Sequence, residues 1–206
     1  MKTPLRYQIT EYDCGPTSLL NAVSFLFERE DIPPEIVRNI MLYSLDTYGS
    51  DGVSGKSGTS HTAMMFLSHW LDGFGKTGRL SVRSDYLTGR DVNLSDDSRL
   101  VSALRRRGAV VVRLDLDGWH YVLLTGIEGN SVLVFDPYEP PEPLTAGGVV
   151  VVQDQGGQYN RIVPRSRFET QEITPYGFGP YVTREAVLLF NTAVELTEEN
   201  TVEYII

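Results

Sequence analysis

Residues 108–138 read GAVVVRLDLDGWHYVLLTGIEGNSVLVFDPY. Three short runs rich in β-branched and aromatic residues, AVVVRLDL, HYVLLTGIEG and NSVLVFDPY, are separated by DG and EGN turn signals. Runs this short, joined by turns this tight, predict an antiparallel meander. Further along, GVVVVQ at 148–153 and EAVLLFNTAV at 185–194 predict two more strands, with the Gly/Pro/Tyr-rich TPYGFGPYVT between them as a loop.

Upstream of Gly108 the pattern is different. Leu19, Leu20, Val23, Leu26 and Phe27 recur at helical spacing behind Asp13, a residue able to cap, and Pro16, which a first turn tolerates. This predicts a helix over 14–28. A second opens at Pro33 and Pro34, carries Ile36, Val37, Ile40 and Met41 on one side, and runs to about Tyr48 and Gly49. YGSDGVSGKSGTS, at 48–60, has no periodicity and reads as a loop. Ser60 caps a third helix, HTAMMFLSHWLDGF, and SDDSRLVSALRRRG gives a fourth with acids first, arginines last and Gly108 as its stop. Helices first and strands second predict an α+β fold, helical over about 1–107 and β over about 108–206, as one domain or as two lobes facing across a cleft.

Composition bounds the function. The apolar fraction of 41% is ample for a core. No apolar run approaches the ~20 residues that span a bilayer, so no membrane partner is expected. A single cysteine cannot close an internal disulfide, and MKTPLRYQITEYD has no apolar signal run; both point to a reducing, cytoplasmic setting. A net charge of −9 repels phosphate backbones and argues against nucleic acid as a partner. Arg105, Arg106 and Arg107 form the basic cluster, and they sit where a helix end favours cations.

The one cysteine, Cys14, falls at a helix start, where unpaired N–H groups and the helix dipole favour a thiolate. Alone, such a residue is better read as a small buried apolar group than as a nucleophile. A nucleophile needs a histidine arriving from elsewhere. His120 begins a predicted strand, and Asp136 ends the next one sixteen residues later, so a hairpin would set a base beside its orienting carboxylate. His61 and His69 are eight residues apart on one helix, not at the i, i+4 spacing of paired metal ligands, and read as structural or surface residues. His61 is the alternative partner of Cys14. Gly55, Lys56 and Ser57 echo a phosphate loop, but Ser50 stands where its first glycine belongs. Asp115, Asp117 and Gly118 echo a calcium loop without the later ligands and read as a turn. Neither a metal nor another cofactor is expected.

QITEYDCGPTSL, with Gln8 six residues ahead of Cys14, followed by GWHYVLLTGI and then VLVFDPY, resembles the C39 family of cysteine peptidases and its free-standing relatives in the papain-like group. The resemblance implies a single papain-like domain over 1–206, with the nucleophile on the first helix packed against a C-terminal antiparallel sheet. It implies Cys14 as nucleophile, His120 as base, Asp136 as its orienter and Gln8 as an oxyanion donor. The expected activity is hydrolysis of a peptide or amide through a thioester. Acyl transfer at the same site and a non-catalytic peptide-binding domain are the alternatives. The best-known C39 domains belong to peptide exporters and cut leader peptides after a double glycine. Residues 1–206 hold neither a membrane domain nor an ATPase, so a stand-alone hydrolase is the expectation. Segments 29–95 and 139–183 match no motif of the family.

Overall fold

The computed structural model describes residues 1–116, 118–139, 146–152 and 158–197. Three helices come first: α1 (Cys14–Leu26), α2 (Pro34–Ser44) and α3 (His61–Gly75). They are followed by β1 (Val82–Thr88), α4 (Arg99–Arg105), β2 (Ala109–Asp115), β3 (Trp119–Glu128), β4 (Ser131–Phe135), β5 (Val150–Val151), β6 (Arg161–Pro164), the short α5 (Arg165–Phe168) and β7 (Glu185–Asn191). The strands form one seven-stranded sheet in the order β1-β7-β2-β3-β4-β6-β5, every pair antiparallel.

The meander is present as β2, β3 and β4, and its register sets up the site. Leu114 pairs with His120 and Asp115 with Trp119 across the first turn. Leu123 pairs with Phe135 and Leu124 with Val134 in the second hairpin, with a bulge between Leu124 and Gly126. Extending that register past Phe135 puts Asp136 opposite Val122. Asp136 and His120 are therefore diagonal neighbours on one face, within side-chain reach.

Side-chain alternation divides the interior into two cores, one on each face of the sheet. On one face, Leu19, Val23, Ile36, Ile40, Met64, Leu67 and Leu71 from α1, α2 and α3 pack on Val111, Leu123, Val187 and Leu189. On the other, Leu100, Val101 and Leu104 of α4, with Phe168, Tyr176 and Phe178, pack on Val110, Val112, Val122, Val134 and Leu188. At ~25 cal/mol per Å² of apolar area, these two cores are the main stabilising force.

Several sequence expectations are corrected here. The helical part expected through residue 107 contains a strand, β1, which pairs with β7 over its whole length from Val82↔Asn191 to Thr88↔Glu185. VRSDYLT carries Arg83 and Asp85 in its middle, and these form an ion pair at 2.9 Å instead of lying in an apolar run. A charged pair on an edge strand hides the strand from an apolar-run reading. Helix α2 ends at Ser44, short of Tyr48 and Gly49, and α4 begins at Arg99 after a Ser98 cap instead of at Ser95. Asp13, expected to cap α1, makes no side-chain cap bond. Strand β6 was not anticipated, and the strand expected over 148–153 is confined to Val150–Val151, with Gln153 outside the described residues. Of the arginine cluster, Arg105 pairs with Asp96 at 3.2 Å and Arg106 with Glu195 at 2.7 Å.

Candidate active site

Cys14 opens α1 and is 6% exposed. The loop before it is organised by Asp13, whose carboxylate accepts from the backbone N–H of Ile9 (3.0 Å) and Thr10 (2.7 Å) and from the Thr10 hydroxyl (2.6 Å). Burial raises the Asp13 carboxyl, but these donors outweigh it and hold the group below its ordinary range. Asp13 thus shapes the approach to the cysteine instead of capping the helix. Gly15 follows, and a Cβ at this position would fall 2.4 Å from Thr59 Oγ1, so only glycine lets the helix start and the 47–60 loop touch. Ser18 Oγ donates to the Tyr121 carbonyl at 3.0 Å, clamping α1 to β3 one residue from His120.

His120 Nε2 lies 2.8 Å from Asp136 Oδ1. Both are largely buried, with side chains 12% and 5% exposed. Asp136 Oδ1 also accepts from Tyr138 N–H at 2.9 Å. With Nε2 engaged, Nδ1 is the ring nitrogen left for a second partner, and Cys14 lies near enough to raise the ring's basicity. Burial pulls the imidazole down, but the Asp136 hydrogen bond and the Cys14 contact overcome it and push the ring up to about 10. Cys14, His120 and Asp136, 122 positions apart in sequence from first to last, thus meet at the junction of α1 with the β3–β4 hairpin.

Gln8 reaches the same junction by its backbone, where its N–H donates to the Pro137 carbonyl at 2.8 Å. Its side-chain Nε2 donates to the Thr10 carbonyl at 2.8 Å, and its Oε1 is buried without a partner. One of the two amide hydrogens is thus engaged inside the loop.

Residues outside the expected set complete the site. Asn160, 5% exposed, accepts from Asp136 N–H and donates to the Asp136 carbonyl, both at 2.8 Å, fixing the backbone that carries the carboxylate. Beside Cys14 lies a cavity of about 520 Å³ lined by Thr59, His61, Arg113, Trp119 and Tyr121. Glu185, 1% exposed, sits behind it and accepts from Tyr121 Oη at Oε1 (2.5 Å) and from Tyr86 Oη at Oε2 (2.6 Å). His61 Nδ1 lies 3.0 Å from Oε1, within ion-pair distance. Arg113 Nε is 3.3 Å from Oε1, an ion-pair distance without hydrogen-bond alignment. His61 is therefore tied into the cavity wall, whereas His69 remains on the surface. Sequence carried one signal for this cluster: Arg113 interrupts the apolar run AVVVRL, and such a charge is buried only when paired. Among the described residues, no three His, Cys, Asp or Glu side chains gather as a metal site, and no helix is long and apolar enough to cross a membrane.

No protein-family profile matches the chain, and no curated protein sequence does. Among solved structures, the chain is similar to the peptidase domain of Streptococcus ComA, a bifunctional ABC transporter involved in a quorum-sensing pathway, at 14% identity and a TM-score of 0.46, over 91% of this chain and 97% of that one. It is similar to a double-glycine-motif protease from an AMS/PCAT transporter, solved in complex with the leader peptide, at 11% identity and 0.44, over 91% and 89%. The peptidase domain of Streptococcus mutans ComA aligns at 13% identity and 0.39, over 90% and 98%.

Proposed function

We propose that this chain is a cysteine peptidase or amide hydrolase, working in a reducing cytoplasm, that cleaves a peptide substrate through a thioester on Cys14. The observation that carries the reading is the His120 ring, held at 2.8 Å by Asp136 through Nε2 and near enough to Cys14 to be made more basic by it. A free thiol at a helix start, a histidine and a buried carboxylate in that order are the parts nucleophilic catalysis needs.

In this reading the Cys14 sulfur attacks the scissile carbonyl carbon and the carbonyl oxygen becomes an oxyanion. The remaining Gln8 amide hydrogen and the Cys14 backbone N–H face that charge, a donor contribution worth roughly 2.7–4 kcal/mol each where it has been measured. The C–N bond breaks as His120 passes its proton to the leaving amine. Water then attacks the thioester, returns a proton to His120 and frees the thiolate. Asp136 keeps the ring in the tautomer and orientation that both steps require.

The test is turnover of a positional-scanning library of fluorogenic peptide amides by wild type and Cys14→Ala. The variant is expected to lose all turnover while its circular dichroism and melting temperature stay unchanged. An equal rate in the variant would remove Cys14 from the chemistry.

A further inference from the structure

One buried cation has no part in the steps above. Arg161 opens β6, is 3% exposed, and donates from Nη1 to the Asn160 carbonyl at 2.8 Å. Among the described residues, no carboxylate stands at ion-pair distance from it, whereas the other buried arginines are paired, Arg113 with Glu185 at 3.3 Å and Arg184 with Glu169 at 3.7 Å. A guanidinium this deep needs an anion. Of the buried carboxylates, Glu185 and Glu195 have arginines of their own, and Asp13 is bonded to donors of the loop before α1. Asp136 is the one that remains.

Register brings the two together. Arg161 pairs directly with Val134, and Asp136 follows Val134 by two residues, so Asp136 stands between Arg161 on β6 and His120 on β3, a diagonal neighbour of each. Asn160 ties the pair: its carbonyl takes the guanidinium, and its side chain holds the N–H and C=O of Asp136, both at 2.8 Å. Tyr176 covers them. It is 2% exposed and adopts φ 64°, a conformation rare outside glycine, held by its own N–H on the Asp115 carbonyl at 2.9 Å. Burial pushes its phenol up to about 12, with the Asp136 charge adding to the rise and the Arg161 charge opposing it, so both charges act on one buried ring.

With Cys14 as thiolate, His120 protonated and Asp136 ionised, the buried junction carries one uncompensated negative charge, which burial penalises. Of the charged groups that face it from elsewhere, Arg113 is balanced by Glu185, Asp13 is bonded within its loop, and Glu11, His61 and Asp115 reach solvent. Tyr7, Tyr12, Tyr121, Tyr138 and Tyr176 are phenols, which carry no positive charge in either state. Arg161 is the cation that brings the sum to zero.

We propose that Arg161 is a positioning residue of the active site, whose guanidinium supplies the fixed positive charge that lets Cys14 and His120 rest as a thiolate–imidazolium pair beside Asp136. The inference rests on the reading of Cys14 as the reactive thiol. Arg161 touches no substrate; it acts through Asn160 and Asp136 and through its charge.

The experiment follows the rate of Cys14 alkylation by iodoacetamide against pH, read by intact mass. In wild type the midpoint of the rise is expected well below the ~8.5 of an ordinary thiol. Arg161→Gln keeps a donor for the Asn160 carbonyl and removes the charge. Its midpoint should rise by about one pH unit, the effect of a unit charge roughly 10 Å away at an effective dielectric of about 20. Arg161→Met, a second neutral variant, should shift the same way, and Arg161→Lys, which keeps the charge, should stay closer to wild type than to either. A role confined to holding Asn160 would lower the rate at every pH and leave the midpoint in place. An unmoved midpoint in a folded neutral variant, or failure of both neutral variants to fold by circular dichroism, overturns the assignment of Arg161 and leaves the hydrolase reading intact. A wild-type midpoint near ~8.5 means an unactivated thiol and overturns both.

Discussion

The backbone N–H of Gln8 donates to the carbonyl oxygen of Pro137 at 2.8 Å. One strut thus joins the loop that leads into Cys14 to the residue that follows Asp136. With the Ser18–Tyr121 clamp, it gives the two halves of the site a fixed spacing along both edges. Preorganisation of this kind matters because a misplacement of about 1 Å can cost 10²-fold in rate.

The charge of Asp136 should be separable from its orienting role. His120 is held at about 10, above the 6.5 of an ordinary histidine, so the folded protein keeps a proton that the unfolded chain releases between those values. The resulting stabilisation is full below about pH 6.5 and is lost as pH rises through about 10. Asp136→Asn keeps an acceptor for the ring but removes the charge. NMR titration of the His120 ring should show its midpoint falling from about 10 toward the ordinary value in the variant. The stability gap between wild type and variant, measured by urea unfolding, should narrow from pH 6.5 to 10. On the proposed mechanism, turnover should fall by about 10⁴ in Asp136→Ala, and by less in Asp136→Asn, whose amide oxygen still accepts from the ring. A midpoint unmoved by Asp136→Asn would contradict the electrostatic account.

Asn160 gives a second prediction. Replacing it with alanine leaves the N–H and C=O of Asp136 unpaired in a buried position, at a cost of roughly 1–3 kcal/mol. For a chain of this size that is a melting-temperature loss of about 2–10 °C. Because the carboxylate would also lose its fixed backbone, kcat should drop more than KM rises. Asn160→Ala with full stability and unchanged kcat would show that the pair of bonds does not position Asp136.

Much of this arrangement was readable from residues that are local in sequence. Cys14 lies at a helix start because Pro16 and the apolar spacing behind it specify α1, and the His120–Asp136 relation follows from hairpin register alone. The illegible parts depend on contacts between distant segments. Asn160 precedes a four-residue strand that no pattern announces, and it bonds backbone atoms 24 residues away. Strand β1 hides because tertiary pairing with β7, and not an apolar run, makes it a strand. Asp13 was misassigned because capping and loop-tying use the same carboxylate, and local sequence cannot say which N–H groups will arrive. The ion pair of His61 with Glu185 depends on β7 bringing Glu185 to the start of α3, which no local pattern announces.

A third prediction concerns Gly15. An added Cβ would sit 2.4 Å from Thr59 Oγ1 and 2.8 Å from Thr59 Cβ, closer than packed atoms come. Gly15→Ala should therefore push the 47–60 loop away from the start of α1 and cost about 1–3 kcal/mol. Thr59→Gly in the same chain removes both clashing atoms and should recover part of the loss in a thermal melt. If the double variant is no more stable than Gly15→Ala, the helix start itself and not the loop contact needs the glycine.

The Glu185 cluster can be tested by a cycle. Glu185→Gln puts an amide against Arg113 and leaves a buried guanidinium without its counter-charge, a change that typically costs about 3–5 kcal/mol. The melting temperature should fall by roughly 10 °C. Arg113→Met alone strands the opposite charge and should cost a comparable amount. In the double variant no charge is left unpaired, so the two losses should fall short of additive by about 1 kcal/mol or more, the size of coupling found between contacting groups. Strict additivity would mean that the 3.3 Å contact carries no net interaction, and that Tyr86, Tyr121 and His61 hold Glu185 in place without the arginine.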